Sequence, residues 1–282
     1  MMGAILDLFN VKSMKISFVI SYQQTKFEAV GLGDFERNLS LLKKLGYDGV
    51  EIALRDPEQV DPVILGSQLN KVGLKLAALG TGQAFVDEGI SLTDSEDQVR
   101  QKALERVKKH IDFASELNSQ VIIGLIRGKI IGPTLKERQI GFLEESIKEL
   151  CSYAEKKGVF LLVEPLNRYE CNLLNTAAEV MDLIEHIRSP VLKLLLDTFH
   201  MNIEEVDMVK TLSESKPYIC YMHLADSNRK FPGLGHINFS AIYETLKEMD
   251  FNGYLSGEIL PYPDLETAIQ QYIVRVKEVL NG

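Results

Sequence analysis

The chain has 282 residues, 45% hydrophobic and 25% charged, with a formal net charge of −9. That is ample apolar material for a large core and excludes an intrinsically disordered chain, while the acidic balance argues against a broad basic surface for nucleic acid and leaves only a local groove open. Three widely spaced cysteines, Cys151, Cys171 and Cys220, form no CxxC pair, so neither a disulfide framework nor a thiolate metal site is expected, and a reducing cytoplasm fits.

Residues 1–13 precede a second methionine, Met14, and read as a non-native or alternative-start extension outside the fold. No apolar run reaches the roughly 18 residues of a membrane span and no secretory leader is evident, so a membrane partner is not expected. From there, short apolar runs alternate with longer amphipathic stretches. Strands are predicted over 15–21, 49–53, 74–79, 120–125, 159–163, 191–196, 218–223 and 254–258. Helices are predicted over 35–45, 62–72, 96–117, 134–157, 176–187, 203–213, 239–249 and 265–280. Thr176 or Asn175 opens one helix, and Gly46, Gly73 and Gly158 stand where others would stop.

Eight strand and helix pairs at a period of about 30 residues predict one α/β domain over 14–282, a (β/α)8 TIM barrel. The competing doubly wound open sheet lacks its usual signal. Ser21 leads into YQQTKFEAVGLGDF rather than GxGxxG, and Gly80-Thr81-Gly82 after the third strand lacks the third glycine.

The last four strands each end in a polar residue: Glu164 in VFLLVEP, Asp197 in LKLLLDTFH, His223 in YMHLAD and Glu258 in LSGEIL. A strand-end acid alone reads more simply as a helix cap or loop acceptor, and a lone histidine as a satisfied core residue. Four on consecutive strands, spaced about 4.8 Å apart at one barrel mouth, are another matter. Burying three carboxylates together without a cation costs many kcal/mol or forces protonation. Three carboxylates and one imidazole suit a six-coordinate divalent ion, Mn²⁺, Mg²⁺ or Co²⁺, with positions left for a ligand.

The order Glu, Asp, His, Glu at separations of 33, 26 and 35 residues, with the segments EPLNRYE, DTFHMN and HLADSNRKFPGLGH, resembles the xylose-isomerase-like sugar isomerase/epimerase barrels of the ketose 3-epimerase type. The resemblance runs over 14–282. Within that family, VEIALRDPEQVD, AALGTGQAF, ISLTDSEDQVRQKALERVKKH and VIIGLIRGK are similar to the enzymes that interconvert 5-keto-L-gluconate and D-tagaturonate. One departure is Asn238 in GHINF, where relatives commonly carry an acid.

The resemblance implies that Glu164, Asp197, His223 and Glu258 hold one divalent metal per chain, Mn²⁺ foremost, and that Glu164 and Glu258 are also the acid/base pair. A metal would polarise a ketone and stabilise the enediolate left when the neighbouring C–H proton is removed. Epimerisation then needs a carboxylate on each face of that planar intermediate. The resemblance further implies that Glu170 orients Glu164 and touches a substrate hydroxyl, and that His200 and Arg229 hold the keto end.

A hexuronate substrate would need a second cation. Arg127 or Lys129 in LIRGK, with Arg168 as alternative, is the candidate for a two-bond grip on its carboxylate. Gln83 in GTGQ is a further substrate candidate, against a plain turn residue. His110 and His186 are expected on outer helix surfaces, Cys171 and Cys220 in structural roles, and His236 near the mouth.

The rival enzyme readings are a neutral ketose (D-tagatose/D-psicose) 3-epimerase and a hydroxypyruvate-type isomerase. From other classes come an endonuclease-type phosphodiesterase and a non-catalytic sugar-binding barrel. The phosphodiesterase needs more histidines than the five present, and a barrel that only bound sugar would not need both glutamates. The expected partner is a small keto-sugar or keto-sugar acid, with no nucleic acid; a homo-oligomer is compatible with the sequence.

Overall fold

In the computed structural model, residues 14–281 are described. The expected extension 1–13 lies outside them. Eight parallel strands close into a barrel in chain order, β1 (Lys15–Ser21), β2 (Gly49–Ala53), β3 (Lys75–Gly80), β4 (Val121–Ile123), β5 (Leu161–Val163), β6 (Leu192–Asp197), β7 (Ile219–His223) and β8 (Tyr254–Gly257), with β8 pairing back onto β1. This is the (β/α)8 architecture the strand and helix period predicts.

The helices are α1 (Phe35–Leu45), α2 (Pro62–Val72), α3 (Gly82–Glu88), α4 (Asp97–Glu116), α5 (Lys136–Lys157), α6 (Ala177–Ile187), α7 (Thr198–Glu204), α8 (Met208–Glu214), α9 (Phe239–Glu248) and α10 (Leu265–Asn281). Their ends follow local chemistry. Thr176 closes a reciprocal capping box with Glu179 at α6, and Gly46, Gly73 and Gly158 end α1, α2 and α5 in the left-handed conformation. Asn238 caps α9 by accepting from the Ala241 amide, the same service an aspartate would render.

Two elements depart from expectation. The single helix expected over 203–213 is two, α7 and α8, because Asp197 caps one and Asp207 accepts from the Lys210 amide to start the other. Residues after Gly80 form α3 instead of a bare loop.

Strand alternation separates two apolar regions. Leu194 and Leu196 belong to the large cluster between strands and helices. Leu195 joins Ala77, Ala78, Ile122, Leu162 and Tyr221 in the smaller cluster inside the barrel. Continuing that period-two pattern puts Glu164 two residues beyond Leu162, Asp197 two beyond Leu195 and His223 two beyond Tyr221, each the last inward position before the mouth. His110 corrects an expectation: it is fully buried, with Nδ1 2.7 Å from the Arg106 carbonyl and Nε2 2.6 Å from that of Leu54. It sits on the inner face of α4, stapling the helix to the end of β2; His186 is exposed as expected.

Candidate active site

At the C-terminal mouth, one donor atom from each of Glu164, Asp197, His200 and Glu258 lies within 4.8 Å of all the others. Three of these are expected metal ligands. His223 is outside this set, with Nδ1 3.1 Å from Glu164 Oε1, and hydrogen bonding separates the roles of the two histidines.

The Asn167 side-chain oxygen accepts from the Tyr169 and Glu170 amides, which leaves its NH2 to donate to Glu170 Oε1 at 2.9 Å and His200 Nδ1 at 2.8 Å. The Asn167 amide points at the same ring nitrogen from 3.3 Å. His200 Nδ1 is therefore an acceptor, and the ring's hydrogen sits on Nε2. That atom is buried without a partner, 3.7 Å from Asp197 Oδ2 and 4.0 Å from Glu164 Oε1. His200 thus offers a donor to the cluster rather than a lone pair. Burial, reinforced by the charges of Arg229 and His223, keeps its imidazole well below the usual histidine range.

His223 is arranged the other way. Its Nε2 lies 2.9 Å and 3.2 Å from the two oxygens of Glu51, and Nδ1 faces Glu164. Burial opposes charge on this ring, yet the Glu51 and Glu164 carboxylates outweigh it and hold the imidazole well above the usual range. A metal ion replacing the Nδ1 proton would find its lone pair aimed at Glu164.

Asp197 does two jobs. Its Oδ1 caps α7 by accepting from the Phe199 amide at 2.8 Å, whereas its Oδ2 is buried with no hydrogen-bond partner. Burial pushes this carboxyl well up, as do Glu164 and Glu258, against the pull of His223 and Arg229. Glu258 is pushed up to about 7, by burial first and then by Glu164 and Glu51, against the opposing charges of His223 and Arg229. Crowded carboxylates and an orphaned acid oxygen fit a cation, the one partner that would satisfy them together.

Arg229 joins the cluster to Glu170. Its Nη1 donates to Glu170 Oε1 at 2.6 Å and its Nη2 to Glu258 Oε2 at 2.8 Å, while Nε is buried without a partner. The backbone here is left-handed, φ 59°, a conformation unusual for a side-chain-bearing residue. It is held by Arg229 N to Asp226 O at 2.8 Å and Leu260 N to Arg229 O at 2.7 Å. Buried Asp226 organises the loop by accepting from the amides of Ser227, Gly233 and Ile237. Gly235 packs so close that an added Cβ would come within 2.2 Å of Asp226 Oδ1.

The cavity beside the cluster is walled by Val19, Phe27, Ala53, Ile122, Leu125 and Leu166. Gln83 lines it too: Ser21 gives its hydroxyl hydrogen to the Gln23 carbonyl and so accepts from Gln83 Nε2 at 2.7 Å, leaving Gln83 Oε1 buried and unpartnered. Two unused donors, on His200 and Arg229, and two unused acceptors, on Asp197 and Gln83, are what a polar ligand would complete.

Arg127 does not face this cavity, which corrects its expected role. It is fully buried, and its guanidinium donates to the carbonyls of Leu173, Gly124, Glu164 and Leu174; it ties the strand-end loops together and has no fork to offer a carboxylate. Arg168 is committed to Glu204 at 2.8 Å and Lys129 is exposed. Cys171 is buried against the Gly128 and Leu173 carbonyls, and burial pushes the Cys220 thiol up to about 12, which fits structural roles. His236 is exposed and contacts Ser227.

Glu51, Asn167 and Asp226 were not among the expected site residues. Glu51 had a signal: it is the one charged residue in the strand GVEIA. Being mid-strand rather than at a tip, it escaped the pattern that marked the others.

Residues 39–276 match the xylose isomerase-like TIM barrel family. The chain is 32% identical over 219 residues to L-ribulose 3-epimerase of Methylomonas sp. (strain DH-1), covering 76% of this chain and 74% of that one. It is 29% identical to D-psicose 3-epimerase of Ruminiclostridium cellulolyticum, covering 95% and 91%. A solved structure of D-allulose 3-epimerase from Methylomonas sp. in complex with D-allulose superposes with a TM-score of 0.78 at 25% identity, covering 94% of this chain and 98% of that one. The barrel, its polar mouth and these likenesses together make the chain a member of the xylose isomerase-like TIM barrel family, among relatives that are sugar epimerases.

Proposed function

We propose that the chain is a divalent-metal-dependent epimerase that inverts the carbon beside the ketone of a keto-sugar. The observation that carries this reading is the meeting of two glutamates, Glu164 from the end of β5 and Glu258 from the end of β8, at one cluster with Asp197. Glu164, Asp197, His223 and Glu258 would hold the ion, Mn²⁺ foremost, with Mg²⁺ or Co²⁺ as alternatives. Once bound, it would polarise the ketone and stabilise the negative charge that develops as the adjacent C–H proton leaves.

The chain's own groups do the rest. One of Glu164 and Glu258 takes the proton and the other returns one to the opposite face. Arg229 braces Glu258 Oε2 and, with Nε, can donate to the substrate alongside His200 Nε2. Gln83 Oε1 accepts from a hydroxyl further along the sugar. Apolar walls keep bulk water from the reacting carbon.

For the substrate, the motif resemblance supports the pair 5-keto-L-gluconate and D-tagaturonate. With Arg127 and Arg168 committed elsewhere and Lys129 not lining the cavity, Lys26 is the candidate for a carboxylate: it is exposed on the outer part of the cavity beside Phe27, Glu170 and Arg229, and makes no salt bridge among the described residues. A neutral ketose is the second reading, favoured by relatives named for L-ribulose and D-psicose. The test is Mn²⁺-dependent solvent deuterium incorporation, followed by NMR, over 5-keto-L-gluconate, D-tagaturonate, D-tagatose, D-psicose and hydroxypyruvate. Label beside the ketone with inversion supports the epimerase; no label in any of them refutes it. Lys26→Met should raise KM for keto-acids alone, and faster turnover of neutral ketoses would replace the first substrate reading with the second.

A further inference from the structure

We infer that Glu51 is a positioning residue for metal capture, acting through His223 from a strand three places away around the barrel. The inference rests on the proposed ligand role of His223. β2 and β7 are separated by β1 and β8 in the closed sheet, yet the Glu51 side chain crosses the interior to place both oxygens against His223 Nε2, at 2.9 Å and 3.2 Å. Glu51 is 1% exposed, as is His223, so the contact is shielded from bulk solvent.

Glu51 is itself fixed from below. Tyr221 donates its hydroxyl to Glu51 Oε2 at 2.9 Å, and that hydroxyl lies 3.2 Å from Ser17 Oγ. Tyr221 precedes His223 by two residues and so shares its inward face. The tyrosine thus holds Glu51 Oε2 in place beside the histidine above it. An acceptor-only carboxylate keeps a hydrogen on Nε2, so the nitrogen left to offer a lone pair is Nδ1, which faces Glu164. A histidine whose second nitrogen is anchored in this way has both its tautomer and its ring plane set before the ion arrives.

This arrangement also explains why an acid stands in the middle of GVEIA, at an inward position where a barrel interior would otherwise take an apolar residue. Glu51 lies on the wall of the same cavity as Glu164 and Glu258, but its oxygens are taken by His223 and Tyr221. It therefore acts on the metal only through the imidazole.

The test compares Mn²⁺ affinity by titration calorimetry, at one fixed pH, for the wild type, Glu51→Gln, His223→Ala and the double variant. A carboxamide can turn its NH2 toward Nε2 and so favour the wrong tautomer. Glu51→Gln should weaken Mn²⁺ binding about 10–100-fold, and the double variant should be no worse than His223→Ala alone. Additive losses in the double variant, or wild-type affinity in a folded Glu51→Gln, would overturn the inference. If His223→Ala binds Mn²⁺ as tightly as wild type, the ligand assignment beneath it fails instead, and the inference falls with it. Should Glu51→Gln not fold, ¹⁵N NMR of the Mg²⁺-loaded wild type decides: hydrogen on His223 Nε2 supports the inference and hydrogen on Nδ1 refutes it.

Discussion

The two halves of the barrel mouth are built from different chemistry. β6 and β7 end in Asp197 and His223 and β5 and β8 stop one residue before Glu164 and Glu258, whereas β1 to β4 present Val19, Ala53, Gly80 and Ile122 to the same cavity. One half concentrates charge and the other supplies a small, apolar wall against which a sugar ring can lie. The lesson is that, under the proposed function, an apolar side would leave a substrate's hydroxyls few polar partners besides Gln83 and the cluster. Glu51 is the exception in the apolar half, and its side chain reaches across to serve the polar one.

That contrast can be tested from the polar side first. Glu164→Gln and Glu258→Gln should each lower kcat by about 10²–10⁴-fold, with solvent deuterium exchange lost in parallel, if the pair carries the proton. A loss confined to KM would make them binding groups only.

Asp197 comes next, because its two oxygens have separable duties. Asp197→Ala and Asp197→Asn should both weaken Mn²⁺ binding. Only the alanine also loses the cap on α7, so in metal-free protein it should be less stable than the asparagine by about 1 kcal/mol. Equal melting temperatures would mean that the Phe199 contact contributes nothing.

On the apolar side the effect should be smaller. Gln83→Leu keeps the wall's volume and removes its free acceptor, Gln83 Oε1, so kcat/KM should fall roughly tenfold, about 1.4 kcal/mol, with the fold intact. An unchanged value would leave that half a passive wall.

The last effect concerns stability and its pH dependence. Glu258 titrates at about 7 in the folded, metal-free protein and near the ordinary glutamate value when unfolded. A folded pKa raised in this way means the unfolded state sheds its proton first, so the group costs stability progressively as pH rises from about 4.5 to 7. Metal-free Glu258→Gln should therefore match the wild type near pH 4.5 and melt a few degrees higher above pH 7. A gap that narrows with rising pH would reverse the sign and refute the crowding argument.

Much of the architecture was legible because its signals are local. β1, β2, α1 and α2 have the bounds expected from apolar runs, caps and glycine stops. The split of α7 from α8 was harder to see, since apolar spacing continues across 205–207 and only the capping bonds of Asp197 and Asp207 break it. Arg127 misled for a related reason. An arginine past a strand end looks like an anion grip, but the neighbouring loops turn four backbone carbonyls onto its guanidinium.

By itself, the sequence determined the barrel, through alternation and period, and the strand-end positions of Glu164, Asp197, His223 and Glu258, because the pleat carries every second side chain to one face. It could not say which nitrogen of which histidine faces the cluster. That depends on Asn167 beside His200 and on Glu51 beneath His223. The Glu51 contact spans 172 residues of chain and exists only because closing the sheet brings β2 and β7 within side-chain reach. Alternation is a property of each strand alone; hydrogen-bond partners across a barrel are set by closure and register, which no single strand encodes.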